Sequence, residues 1–496
     1  MNRSGTTLFK ASLIALIVLL LAVAGLFQKG LNTERTALGM NRYVELKGAP
    51  PVLALTTVAL GGFRGLVANA LWIRAIELQD QDRYFEKVQL ADWIVKLEPH
   101  YAHVWRVQAW DMAYNVSVKF TDHNDRWRWV QKGFELIRDQ GLLYNPDEAT
   151  LYHELAWIFM HKMGQNLDDA HSLYKLNWAR EMDVVLGTNY VSLIDPKTDD
   201  EKERAKELRE RYKLDPAFMK ELDGRYGPLE WRLPESHAIY WAALGLKKTV
   251  AKDPMALRRI IYQSMQLAVT RGRVMPDLAT GRIILGPNID MSERANETYL
   301  ESLKFDPENF AQVQTSHKNF LRNLPYYFYL EGRTKEASRW FNYLREQYPG
   351  AVPEGMDLEA YSVSKISEYA GETSQDKSTA ILKGLVTRYY LDLATDNDDR
   401  AATMLRLAQK VRARYMTEIG KGQDIRIFLP EVPDLLRTVR EELLGQQSGV
   451  MPEVQAMLRT RLGLPVSTNS VAPVRIPMAR PPEAPAATNA PPGKGA

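Results

Sequence analysis

Residues 84–182 constrain the chain most. They read YFEKVQLADWIVKLEPHYAHVWRVQAWDMAYNVSVKF, then a short polar break, then WRWVQKGFELIRDQGLLYNPDEATLYHELAWIFMHKMGQNLDDAHSLYKLNWAREM. Apolar side chains recur there at helical spacing, in runs parted by short breaks, and no run alternates as a strand does. A chain written this way folds as helical hairpins stacked side by side, so the expected class is all-α. The aromatics (Trp 11, Tyr 23, Phe 14) fall at the same helical spacing, which assigns most of them to packing between helices.

Several function classes drop out on composition. The chain has no cysteine, which removes disulfides, thiolate catalysis and cysteine-held zinc or iron–sulfur centres. Lys and Arg number 64 against 61 Asp and Glu, so there is no overall field to attract nucleic acid.

Residues 11–27, ASLIALIVLLLAVAGLF, carry no charge. As a helix they span roughly 25 Å, just under a bilayer's hydrocarbon core of about 30 Å. An uncleaved membrane anchor and a secretory signal both fit, the latter because Ala22-Val23-Ala24 has the small-x-small form of a cleavage site. The anchor is favoured because the apolar run continues through Leu26 and Phe27. Positive charges do not favour an inside N-terminus: Arg3 and Lys10 precede the run, and Lys29, Arg35, Arg42 and Lys47 follow it. Long downstream domains nevertheless cross largely regardless of charge, so the bulk is expected outside the cytoplasm, in a periplasm or its equivalent. After a polar tether, residues 52–60 are apolar but too short to span. Gly61-Gly62-Phe63-Arg64-Gly65 lacks the Lys-Ser/Thr ending of a phosphate loop.

Within the helical block, residues 84–99 place Ala91 on a helix, then the apolar pair Ile94-Val95, then the closing Pro99. Trp105 follows six residues on, and Ala109 four beyond that. Leu143-Tyr144-Asn145-Pro146 closes a next unit, and Ala170 and Tyr174 stand four apart in a later one. Downstream, Leu324, Phe328, Gly332, Ala337, Phe341 and Pro349 repeat the spacing, with Pro325 where a small residue is usual, which predicts a kinked or late-starting helix. These positions resemble the tetratricopeptide repeat (TPR), in which large residues on one helix fill space beside small ones on its partner. The resemblance covers about a third of the chain. It implies a right-handed α-solenoid of TPR-like hairpins, preceded here by one N-terminal transmembrane helix.

The expected organisation is a stub and anchor at 1–30, a membrane-proximal segment and first helix at 31–83, and the repeat array at 84–182. A charged helical connector follows at 183–225, then a helical hairpin with a hairpin-like insertion at 226–311, and a repeat at 312–349. Helices at 350–465 come next, predicted over 358–369, 376–394, 399–419, 432–444 and 452–462. The insertion, GRIILGPNID, is read as strands turning at Gly286-Pro287-Asn288. The tail at 466–496, with Pro465 before it, carries eight prolines and cannot bury enough to order itself.

No catalytic constellation stands out. The most suggestive cluster is His153-Glu154 with His161 and His171, but His153 and His161 are eight apart, with Trp157 where a metal-binding helix needs its second histidine; straight helical geometry puts His161 about 80° round from His153. Asp122-His123-Asn124-Asp125 reads as a helix cap, and Asp199, Asp200, Glu201, Asp396, Asp398 and Asp399 as helix starts. No cofactor, metal or catalytic residue is assigned. The TPR resemblance puts first helices along a binding groove, with Arg106 and Trp110 facing it. The family's carboxylate clamp needs Asn four residues after its basic residue, and Trp110 stands there instead. The expected function is a non-enzymatic, membrane-anchored scaffold for protein partners at the cell envelope, in an assembly or secretion complex. The alternative is a carbohydrate-active enzyme on a closed helical toroid.

Overall fold

The computed structural model describes residues 64–249, 255–276, 283–370, 375–419, 429–445 and 450–465, with Leu16, Leu19, Leu20, Val23, Phe27, Gly30, Leu31, Thr33 and Glu34. The fold is all-α apart from one two-stranded sheet. The chain divides into two compact units, Met1–Tyr101 and Ala102–Ala496.

In the first unit, α1 (Arg64–Asp80) and α2 (Tyr84–Leu97) pack as a hairpin. Asp82 makes the turn in the left-handed region at φ 58°. Ala68, Ala75 and Leu78 are buried on α1, and Ala91, Ile94, Val95 and Leu97 on α2. Of the anchor predicted over residues 11–27, Leu16, Leu19, Leu20, Val23 and Phe27 are described, all helical and all exposed. The remainder of that anchor, and the tail at 466–496, lie outside the described residues. Among the described residues no helix is long and apolar enough to cross a membrane.

The second unit opens with α3 (Ala102–Trp110), α4 (His123–Glu135), α5 (Ala149–Trp157) and α6 (His171–Leu186). Asp122 caps α4 by accepting from the backbone N–H groups of Asn124 and Asp125, as its place in the polar break predicted. Then come α7 (Asp199–Glu210), α8 (Pro216–Tyr226), α9 (Pro234–Lys248) and α10 (Met255–Arg271). Thr198 starts α7 through a capping box with Glu201, and Pro234 occupies the first turn of α9. The series continues with α11 (Ser292–Phe305), α12 (Phe310–Leu330), α13 (Thr334–Gln347), α14 (Leu358–Ala370), α15 (Gln375–Ala394), α16 (Asp398–Ile419), α17 (Val432–Leu444) and α18 (Pro452–Arg461).

Substantial packing joins α9 with α10, α10 with α11, α12 with α13, and α15 with α16, α17 and α18, while α9 also returns to pack on α5 across the three intervening helices. None of these pairings joins α3–α6 to α14–α18. Beneath α3–α6 lies an aromatic interior. Phe134, Phe159 and Trp178 meet with centroids 5.0–5.6 Å apart, and His237 of α9 closes on Trp178 at 4.9 Å. Burial lowers the His237 pKa to about 4, so the ring is neutral, with Nε2 2.8 Å from the Trp231 carbonyl.

Two local expectations are corrected. The strands are β1 (Arg273–Pro276) and β2 (Ile283–Gly286), antiparallel, with Arg273 opposite Gly286. The run Ile283–Gly286 therefore pairs with the segment before it, and Gly286 ends a strand instead of making the turn; Asn288 N–H is held by the Val269 carbonyl of α10. Pro325 does not delay its helix either, since α12 begins at Phe310 and contains the proline.

Candidate functional site

Helices α3 and α5 do not simply end. Each continues into a π-helical segment, Asp111–Val116 after α3 and Ile158–Gly164 after α5, and a third, Leu136–Gly141, extends α4. A π turn bonds i to i+5 and so widens the helix by about one residue per turn. Side chains four apart then stay nearly in line where a straight α-helix would carry them round. Arg106, Trp110 and Tyr114 form such a row on α3 and its extension, and His153, Trp157 and His161 form one on α5 and its extension.

The two rows make one ladder. Trp110 and Tyr114 stack with centroids 4.1 Å apart, and the Tyr114 hydroxyl is hydrogen-bonded to His161 Nδ1 at 3.1 Å. His161 stacks on Trp157 at 4.5 Å, and Trp157 on His153 at 6.0 Å. Trp110 is 38% exposed and the other rungs are partly exposed, so the ladder is a surface feature.

Charge beside the ladder is unevenly matched. Lys162 donates to Asp168 at 2.5 Å, and Arg126 joins Asp168 and Asp169. Burial alone would raise the Asp168 pKa, but the Lys162 and Ala170 hydrogen bonds outweigh it and hold it at about 2. Glu154 has no such partner. It is 6% exposed, and its Oε1 is buried without a hydrogen bond. Burial raises its pKa to about 7, against the opposing charge of Arg106. The Arg106 guanidinium turns to His103 Nδ1 at 3.1 Å and leaves Glu154 without an ion pair. Burial and the Glu154 charge push the Tyr114 hydroxyl far up, so it stays protonated, while burial and Lys162 lower His161, which stays neutral.

A second buried charge cluster lies where α6, α9 and α10 meet. Lys175 Nζ donates to the Gln165 carbonyl at 3.1 Å and Asn166 Oδ1 at 3.2 Å, and Arg271 donates to the same Asn166 oxygen at 2.6 Å. Glu235, 1% exposed, has both carboxyl oxygens buried without a hydrogen bond. Burial, then the Arg271 charge, lowers the Lys175 pKa to about 7.

Arg106 and Trp110, expected along a groove, are both partly exposed on α3. His153 and His161 stack on Trp157 and do not converge on a common point. Among the described residues no group of three or more His, Asp or Glu could hold a metal ion. Tyr114 was not singled out in the sequence, and Trp157 was read only as standing where a metal-binding helix would need a histidine. The signal for both was the four-residue spacing of aromatics continued past Trp110 and His153.

The fold and site together define an all-helical protein with a polar–aromatic ladder on adjacent helices. The chain matches no protein-family model, no curated protein and no solved structure.

Proposed function

We propose that the chain is a membrane-anchored scaffold, a TPR-like α-solenoid whose first helices hold an extended segment of a partner protein at the cell envelope. The observation that carries this reading is the ladder Trp110, Tyr114, His161, Trp157, His153, five partly exposed rings in continuous contact across two first helices. Half-exposed aromatics held rigid by one another are the side chains that contribute most to protein recognition, because little entropy is lost when a partner covers them. That no substantial pairing among the described residues joins α3–α6 to α14–α18 supports an open stack over a closed carbohydrate-active toroid, which would join the first helices to the last. Anchoring through residues 11–27 is supported by the exposed apolar side chains of Leu16, Leu19, Leu20, Val23 and Phe27. The bulk is assigned to the periplasmic or outer side.

Purification of the full chain from its own membrane tests the reading against a Trp110→Ala variant. A protein recovered with the wild type and lost with the variant is expected. Equal recovery of all companions from both would contradict it.

A further inference from the structure

Glu154 follows the rung His153 on α5 and is buried beside the ladder, with one carboxyl oxygen, Oε1, that has no hydrogen-bond partner. Buried carboxylates are normally paired or hydrogen-bonded, because a lone charge loses its hydration with no return. The cations nearby are committed elsewhere: Lys162 to Asp168 at 2.5 Å, Arg126 to Asp168 and Asp169, and Arg106 to His103. The Arg106 charge opposes the upward shift that burial gives Glu154. Tyr114 lies near enough for the Glu154 charge to act on its hydroxyl, Lys162 already stands over the Tyr114 ring at 5.2 Å, and Trp110, stacked on Tyr114 and 38% exposed, is the rung whose face is open to a further cation.

We infer that the segment held on the ladder presents a basic side chain, arginine or lysine, whose charge pairs with Glu154 and lies against the aromatic rungs. This rests on the scaffold reading above and names the chemistry of its ligand. Charge complementarity decides the sign. Arg106 would repel a second cation, but it is partly exposed and screened by solvent, whereas Glu154 is 6% exposed and less screened, and a cation beside it would favour its ionised form. Arginine suits the site best, since its flat guanidinium can stack on a ring while it donates to a carboxylate.

The test measures binding of short extended peptides to the full chain in lipid nanodiscs. The peptides are identical except for one central residue: Arg, Lys, citrulline or Glu. The wild type should bind the Arg and Lys peptides about tenfold more tightly than the citrulline peptide. In Glu154→Gln, with an unchanged circular dichroism spectrum, that preference should shrink to about threefold or less. The comparison of Arg with citrulline on the wild type stands even where the variant fails to fold. Tighter binding of the Glu peptide, equal binding of all four, or a basic preference that survives Glu154→Gln would overturn the inference. Binding without basic preference contradicts this inference alone, whereas no peptide binding at all contradicts the scaffold reading with it.

Discussion

Trp105 and Glu154 sit on neighbouring helices and are both buried, with opposite consequences. Trp105 is 2% exposed and stacks on Tyr144 with centroids 5.8 Å apart, so its indole joins α3 to the end of the α4 segment. Trp105→Ala should cost roughly 3–5 kcal/mol in urea unfolding, the range for losing a buried large side chain. Trp110→Ala, one turn further along, should cost less than about 1 kcal/mol, because much of that ring already meets water. Similar losses for both would undo the division between packing and ladder. Glu154 makes a pH prediction. Its folded pKa, about 7, lies above its ordinary 4.5, so between those values the native state holds a proton that the unfolded chain has lost. Stability from this group is therefore greatest at low pH and falls as pH rises through the window. Glu154→Gln removes the effect. The wild type should lose up to roughly 3 kcal/mol relative to the variant between pH 4 and pH 8; parallel stability curves would contradict the assignment.

At the scale of elements, the helices were largely legible and the site only in part. The C-terminal helices α14–α18 lie within about two residues of their expected ends, because prolines, acidic first turns and apolar stripes mark them directly. The cap at Asp122 and the start at Pro234 were legible for the same reason. The three π segments were not. Nothing in local sequence distinguishes an i to i+5 turn from an α-helix, since the extra residue is held by tertiary packing. That is why straight geometry turned His161 away from His153, when the wider turn stacks it on Trp157. Gly133 of α4 shows how tightly this region is built. A Cβ there would come 2.9 Å from the Ala109 carbonyl and 3.1 Å from Ala113 Cβ, at the point where α3 becomes a π-helix. Gly133→Ala should thus destabilise by about 1–3 kcal/mol despite alanine's better helix propensity. A stabilised variant would show that α4 can retreat without loss.

For the molecule as a whole, packing between helices near in sequence places the ladder early in the second unit, on α3 and α5. The apolar segment 11–27 precedes it by less than a hundred residues. The ladder's rungs are all on α3, α5 and their extensions and hold one another by stacking and one hydrogen bond. The exposed apolar residues of the first unit, Leu66, Ile73 and Ile76 on α1 among them, give that hairpin a second uncovered face. The central claim is that the ladder is covered by another protein at the membrane. Site-specific photo-crosslinking in intact native membranes tests it most directly, with a photoreactive amino acid at position 110, 114 or 157 and a control at exposed Lys202 on α7. The same partner protein should be captured from all three ladder positions and not from 202. Crosslinks to lipid alone, or an identical pattern from the ladder and the control, would contradict the account.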